Sequence, residues 1–235
     1  SGLVYLSVAV GLGWNKTLGD TVVGTLCAVY VNAGNLGLPI AAYVLGDAAL
    51  VAPVLLMQLL VMQPLALAVL DSAVQPGRGL SLSRWLTRPF TNPLTLASLV
   101  GLGLAVSDVS LPRAVGDPLA LVGGMAVPAM LLAYGVSLRL GPRPGHGTTV
   151  AELCFITVLK LVVQPSTAYL VARFMLDLEG TALLSVAVLA ALPTAQNIFV
   201  HATRYDVGVV VARDSIFLTT ILSVPTLIAL AVLLG

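Results

Sequence analysis

Two short stretches gather the residues able to bind a polar ligand in an otherwise apolar chain. The first, Tyr30-Val-Asn-Ala-Gly-Asn-Leu-Gly-Leu-Pro-Ile40, holds Asn32, Gly34, Asn35, Gly37 and Pro39. The second, Leu192-Pro-Thr-Ala-Gln-Asn-Ile198, holds Pro193, Thr194, Gln196 and Asn197. A primary carboxamide donates through its NH₂ and accepts through its oxygen. Proline lacks an N–H and its ring crowds the preceding turn, and glycine lowers helix propensity, so each stretch is expected to interrupt a helix. A half-helix that starts inside a membrane aims unpaired N–H groups, and about half a positive charge, at whatever lies before it. Two such ends with four carboxamides would make an anion site without a cationic side chain, suited to a carboxylate with a polar or aromatic remainder. Hydrogen-bonding glue between helices is the competing reading, above all for Gln196.

Lys160 is the one cation placed within an apolar span away from both ends. An intramembrane ionisable residue suggests function by default; Lys160 would either neutralise an anionic substrate or hold a helix break through backbone carbonyls, with snorkelling as the alternative. His201 is a candidate proton relay or a packed interfacial residue. Gln58 and Gln63, one and a half turns apart on the helix after the first cluster, read as structural.

The elements that must position these residues follow from composition. The 235 residues are 58% hydrophobic and 9% charged, with mean hydropathy +1.04, whereas a soluble domain carries about 25% charged residues. This is an integral membrane protein. A helix needs about 20 apolar residues to cross the hydrocarbon. Intervals of that kind lie between Asp20 and Asp47, then at Ala48–Leu70, Pro89–Ser107, Pro118–Leu138, Leu153–Ala172, Gly180–Thr203 and Ser215–Gly235. These are seven complete spans, and none contains an Asp or Glu. Ser1–Trp14 is too short to cross and reads as the tail of a further helix, so the chain is expected to lack its natural N-terminus.

Lys and Arg favour cytoplasmic loops. With Lys16 inside, alternation puts Arg78, Arg84, Arg88, Arg139, Arg143, Arg204 and Arg213 on the same side, and only Arg113 and Arg173 opposite. The expected organisation is residues 1–75 as the remnant of a first repeat, 76–88 as a cytoplasmic linker, and 89–235 as a second five-helix repeat. The two interrupted spans occupy corresponding positions, each followed by one more helix bearing a proline, Pro64 or Pro225. Paired interrupted helices are the pattern of inverted-repeat secondary transporters.

The stretches N-A-G-N-L-G-L-P-I (Asn32 to Ile40) and A-L-P-T-A-Q-N-I-F-V-H-A-T-R-Y-D-V (Ala191 to Val207) resemble the two crossover helices of the auxin efflux carrier family. Further likeness lies in N-P-L-T-L-A-S-L-V-G, M-A-V-P-A-M-L-L-A-Y-G-V-S-L and K-L-V-V-Q-P, so it covers essentially the whole chain. The short central loop resembles bacterial-type members, among them carriers assigned to malonate. The resemblance implies an all-α inverted-repeat fold, 5+5 helices in the parent and about 3+5 here. It also implies a substrate carboxylate near Asn32 where the broken helices cross, and an elevator-like step.

The function expected is therefore secondary transport of small organic anions across a cell membrane, a bacterial inner membrane on this reading. A sodium-coupled bile-acid-type symporter and a non-transporting sensor or scaffold are the alternatives. An enzyme is not expected, because no nucleophile–base pair and no HExxH or GxSxG motif occurs. Cys27 and Cys154 lie in apolar runs without metal or disulfide spacing. No cofactor and no metal is expected, and the balanced charge of +1 excludes a nucleic-acid footprint. The partners expected are an organic anion and the bilayer, with a homodimer left open.

Overall fold

The computed structural model describes residues 1–11, 16–74, 93–107, 109–146 and 150–234, and every regular element among them is helical. Helix α1 (Gly2–Gly11) precedes α2 (Leu18–Val29), which ends in an extended segment, residues 30–32. A π turn (Ala33–Gly37) then runs into α3 (Leu38–Tyr43). Next come α4 (Ala52–Met57), a π turn (Gln58–Met62) and α5 (Gln63–Val74). Beyond residues 75–92 lie α6 (Pro93–Val106) and α7 (Arg113–Leu140). Helix α8 (Val150–Val158) continues through a π turn (Leu159–Val163) into α9 (Gln164–Phe174). Helix α10 (Gly180–Ala190) is followed by a non-helical break, residues 191–196, then by α11 (Asn197–Tyr205) and α12 (Val209–Leu234).

Among the described residues, four stretches are long and apolar enough to cross a membrane: Ala48–Ala73, Arg113–Leu140, Val150–Phe174 and Val209–Leu234. At 1.5 Å per residue, α12 is about 39 Å long, more than the ~30 Å hydrocarbon layer. The seven spans read from the sequence correspond to these four, to the interrupted pairs α2–α3 and α10–α11, and to α6. The expected linker, 76–88, lies outside the described residues. Leu132, Leu140, Val232 and Leu233 are 71–80% exposed, as side chains facing acyl chains would be.

Prolines shape three helices in one way. Leu38, Gln63 and Gln164 each immediately precede a proline, and each donates its N–H five residues back, to Ala33, Gln58 and Leu159. The wide π turn makes room for the ring that would otherwise strike the preceding turn. Pro39 therefore sits inside a continuing helix. The interruption expected near it lies earlier, at residues 30–32, where backbone pairing with the second break outcompetes helix continuation.

Among the described residues, buried apolar side chains form three clusters, the smallest being Tyr134, Phe199 and Ile216. Val23, Leu26 and Ala28 of α2 pack with Ile198 and Ala202 of α11, Leu70 of α5 and Ile156 of α8. Ala41 of α3 and Val51 pack with Val188 and Leu189 of α10 and Leu192.

One end of the molecule is tied together by polar contacts between loops. Thr17 and Asp20 form a capping box at the start of α2, and the other oxygen of Asp20 accepts the Gly208 N–H at 2.8 Å. Gly208 has φ +57° and lies against Val23, a position made for glycine. Tyr205 donates to Asp71 at 2.7 Å, Lys16 pairs with Glu152, and the Gly145 N–H reaches Asp214 at 2.8 Å. The loops and helix ends that carry Lys16, Arg139, Arg143, Arg204 and Arg213 thus share an end.

The helices also reach further than the charge-free intervals. Helix α8 includes Glu152, and α12 includes Arg213 and Asp214, all three buried. The expectation of spans free of acids is corrected accordingly: an acid can join a helix end when a partner meets it, here Lys16 and Tyr5 for Glu152 and Arg213 for Asp214.

Candidate anion site at the helix crossing

The two breaks meet. Val31 and Thr194 form an isolated antiparallel bridge, in which the Asn32 N–H donates to the Pro193 carbonyl at 2.9 Å and the Ala195 N–H to the Tyr30 carbonyl at 3.1 Å. Away from water an unpaired backbone group costs several kcal/mol, so a break deep in a membrane protein needs partners. Side chains supply the rest. The Gln58 amide donates to the Val31 carbonyl at 2.9 Å, Gln164 to Val29 at 3.2 Å, and the Thr194 hydroxyl to Cys27 at 2.7 Å. The Thr194 N–H donates to the Thr219 hydroxyl at 3.2 Å.

Helices restart on both sides of the bridge. Asn32, 4% exposed, caps the first restart, its side-chain oxygen accepting the Asn35 N–H at 3.3 Å. The Asn35 amide in turn donates to Gln196 Oε1 at 3.1 Å, tying one restart to the other. A cavity of about 340 Å³ opens at these two helix starts. Its polar lining is Asn32, Asn35, Gln58, Gln63, Gln196 and Asn197, with Ala33, Gly34 and Ala195 contributing close backbone; Tyr30, Val31, Leu55, Leu59 and Met130 make the apolar side. None of these side chains carries a formal charge. The two half-helix starts, each worth about half a positive charge, are the electrostatic feature of the site.

Of the ten residues singled out in the sequence, Asn32, Gly34, Asn35, Gln196 and Asn197 line this cavity, and Gly37, Pro39, Pro193, Thr194 and Lys160 do not. Gly37 is a packing glycine: a Cβ there would lie 3.0 Å from Leu192 and 3.1 Å from Val51. Pro193 and Thr194 are used in holding the bridge. Lys160, 0% exposed, donates to Gln164 Oε1 at 3.1 Å, behind the glutamine that satisfies Val29. Its contact is with the Gln164 side chain and not with a backbone carbonyl, and it lies outside the cavity lining.

Gln58 and Gln63, read as structural, both line the cavity. Five residues on an α-helix are about 140° apart around the axis. The π turn Gln58–Met62 closes with the Gln63 N–H on the Gln58 carbonyl and brings both glutamines to one face. The Gln-Pro dipeptide was the available sequence signal. Tyr30 and Met130 carried none.

Apolar helices with lipid-facing surfaces, interrupted in pairs around a polar cavity, define a multi-pass membrane transporter. The chain belongs to the membrane transport protein family, which it matches over residues 78–231. It is 27% identical, over 97% of its length and 72% of the relative's, to a Rhizobium meliloti protein named "Putative malonate transporter". It is 29% identical, over 92% of its length and 68% of the relative's, to an uncharacterized transporter of Methanothermobacter thermautotrophicus. Over 61% of the chain and 34% of the relative it is 30% identical to a rice protein named "Probable auxin efflux carrier component 9". The likeness to the auxin efflux carrier family read from the crossover motifs agrees with these matches. The family and these relatives are transporters, not enzymes.

Proposed function

We propose that the protein is a secondary carrier of small organic anions, which binds a substrate carboxylate in the cavity between the two helix starts and moves it by an elevator-like displacement. The observation that carries this reading is the pair of half-helix N-termini opening with carboxamides into one cavity. A carboxylate accepts hydrogen bonds only, and the site offers donors: NH₂ groups and the first N–H groups of two helices. The uncharged lining suits an anion that must leave as well as bind. Tyr30, Leu59 and Met130 suit the non-carboxylate part of such a substrate.

The interrupted pairs α2–α3 and α10–α11 are, on the same reading, counterpart elements of two inverted repeats. Each is followed by a long stretch carrying a proline, Pro64 or Pro225. Names of relatives that refer to malonate and to auxin favour carboxylates as the substrate class. Uptake and counterflow in proteoliposomes with radiolabelled malonate, succinate, benzoate and phenylacetate, with and without sodium, test it. Saturable counterflow of at least one, absent from protein-free vesicles, is the expected result. Its absence for all four would refute the carboxylate reading.

A further inference from the structure

Helix α11 starts at the cavity with Asn197 and ends at the tied end of the molecule with Tyr205. Asn197, His201 and Tyr205 are spaced four residues apart, so they stack along one face with a rise of about 6 Å between each. Tyr205 donates to Asp71 at 2.7 Å. His201 is 4% exposed, and neither of its ring nitrogens has a hydrogen-bond partner among the described residues. A buried imidazole usually settles at least one nitrogen on the protein. This one is kept unsatisfied, midway between a cavity and a solvent-side carboxylate.

We propose that His201 carries the proton that accompanies the anion, making the protein a proton-coupled symporter. This rests on the carboxylate reading above. A proton drawn from solution at the tied end, where the Tyr205 hydroxyl and Asp71 stand, converts the neutral imidazole to imidazolium. The positive charge then stands one turn behind Asn197 and offsets the charge of the carboxylate at the helix start, a charge that no lining side chain offsets. For a monocarboxylate the loaded site is neutral. On release to the other side the proton departs with the anion, and the imidazole returns neutral.

On the same helix Arg204 is a like charge that opposes the imidazolium until the anion's charge is present. Asp20 and Cys27 lie on α2, Asp71 on α5, Tyr134 on α7, and Arg213 and Asp214 on α12; Arg204 and Tyr205 share the helix of His201, and Asp206 caps it. Asp20 accepts from Gly208, Asp71 from Tyr205, the Tyr134 hydroxyl donates to the Arg213 carbonyl, and Arg213 and Asp214 pair with each other.

The experiment uses proteoliposomes with the membrane potential clamped at zero and radiolabelled malonate and phenylacetate as probes. With an interior one pH unit more alkaline, the wild-type protein should accumulate a probe up to about tenfold over protein-free vesicles, the limit for one proton per anion. His201→Gln and His201→Asn should lose that accumulation while counterflow, which needs no net proton movement, remains detectable. Counterflow in the wild type without pH-driven accumulation would overturn the proton proposal and leave the carrier reading standing. Undiminished accumulation in both His201 variants would overturn the assignment to His201. Should neither variant give counterflow, Tyr205→Phe decides: it should slow pH-driven accumulation more than counterflow, and equal slowing overturns the proposal. Absence of counterflow for every probe in the wild type refutes both readings at once.

Discussion

The Asn32 N–H and the Pro193 carbonyl meet at 2.9 Å, joining two breaks that lie far apart in the chain. Because proline has no N–H, its carbonyl is the group it can offer to a neighbouring backbone, and Asn32 takes it while its own side chain caps the next helix. One residue thereby holds the crossing and opens the cavity.

Asn32 should thus show a separable double role. Asn32→Ala removes both cap and lining and should weaken carboxylate binding by about 1–3 kcal/mol, with a stability loss of about 1 kcal/mol from the cap. Asn32→Asp preserves the cap and puts a negative charge beside the substrate. Thermal unfolding in detergent should show Asn32→Asp closer to wild type than Asn32→Ala, and binding should show the reverse. A carboxylate bound normally by Asn32→Asp would remove the anion from this site.

Two glutamines that satisfy the break should differ in what they affect. Gln164→Leu and Gln58→Leu each strand a carbonyl, Val29 or Val31, at a cost of about 1–3 kcal/mol. Only Gln58 lines the cavity. Unfolding should report both changes, and substrate affinity, measured on the folded fraction, should fall for Gln58→Leu alone.

Lys160 should not distinguish substrates by charge. It lies behind Gln164 and outside the cavity, so Lys160→Met should change the affinities for malonate and phenylacetate by the same factor. A loss confined to malonate in equilibrium binding would return Lys160 to the substrate.

Gly24 is predicted to be intolerant of a side chain. A Cβ there would collide with the ring and hydroxyl of Tyr5, which is fully buried and donates to Glu152 at 2.7 Å. Overpacking of this kind costs about 1–3 kcal/mol. Gly24→Ala should lower the melting temperature, and Tyr5→Ala in the same chain should make the added methyl harmless. Unchanged melting of the single variant would mean that α1 packs elsewhere.

The end of the molecule tied by Asp20, Asp71 and Asp214 should face the cytoplasm, because its loops hold most of the Lys and Arg. In a cysteine-free background, Arg143→Cys should react with an impermeant maleimide only after permeabilisation, and Asp177→Cys in intact cells. The opposite pattern inverts the orientation.

Solvent and class were legible residue by residue along the chain. So few charges, spaced a membrane's width apart, can only be spans, and carboxamides with proline and glycine inside them are costly enough in lipid to mark two special places. Local chemistry of that kind is visible residue by residue. Which polar residue faces which neighbour was decided only in three dimensions. The bridge between Tyr30–Asn32 and Pro193–Ala195 is a pairing between distant segments, and it moved the first interruption away from Pro39. The π turn before Pro64 rotated Gln63 onto the face of Gln58, which an assumed 3.6-residue period had put on another side. Lys160 was turned toward Gln164, and Glu152 and Asp214 entered helices because partners from elsewhere in the chain meet them. Burial and partnership are properties of the packed bundle, where the cost of an unpaired polar group selects one arrangement among those the sequence allows.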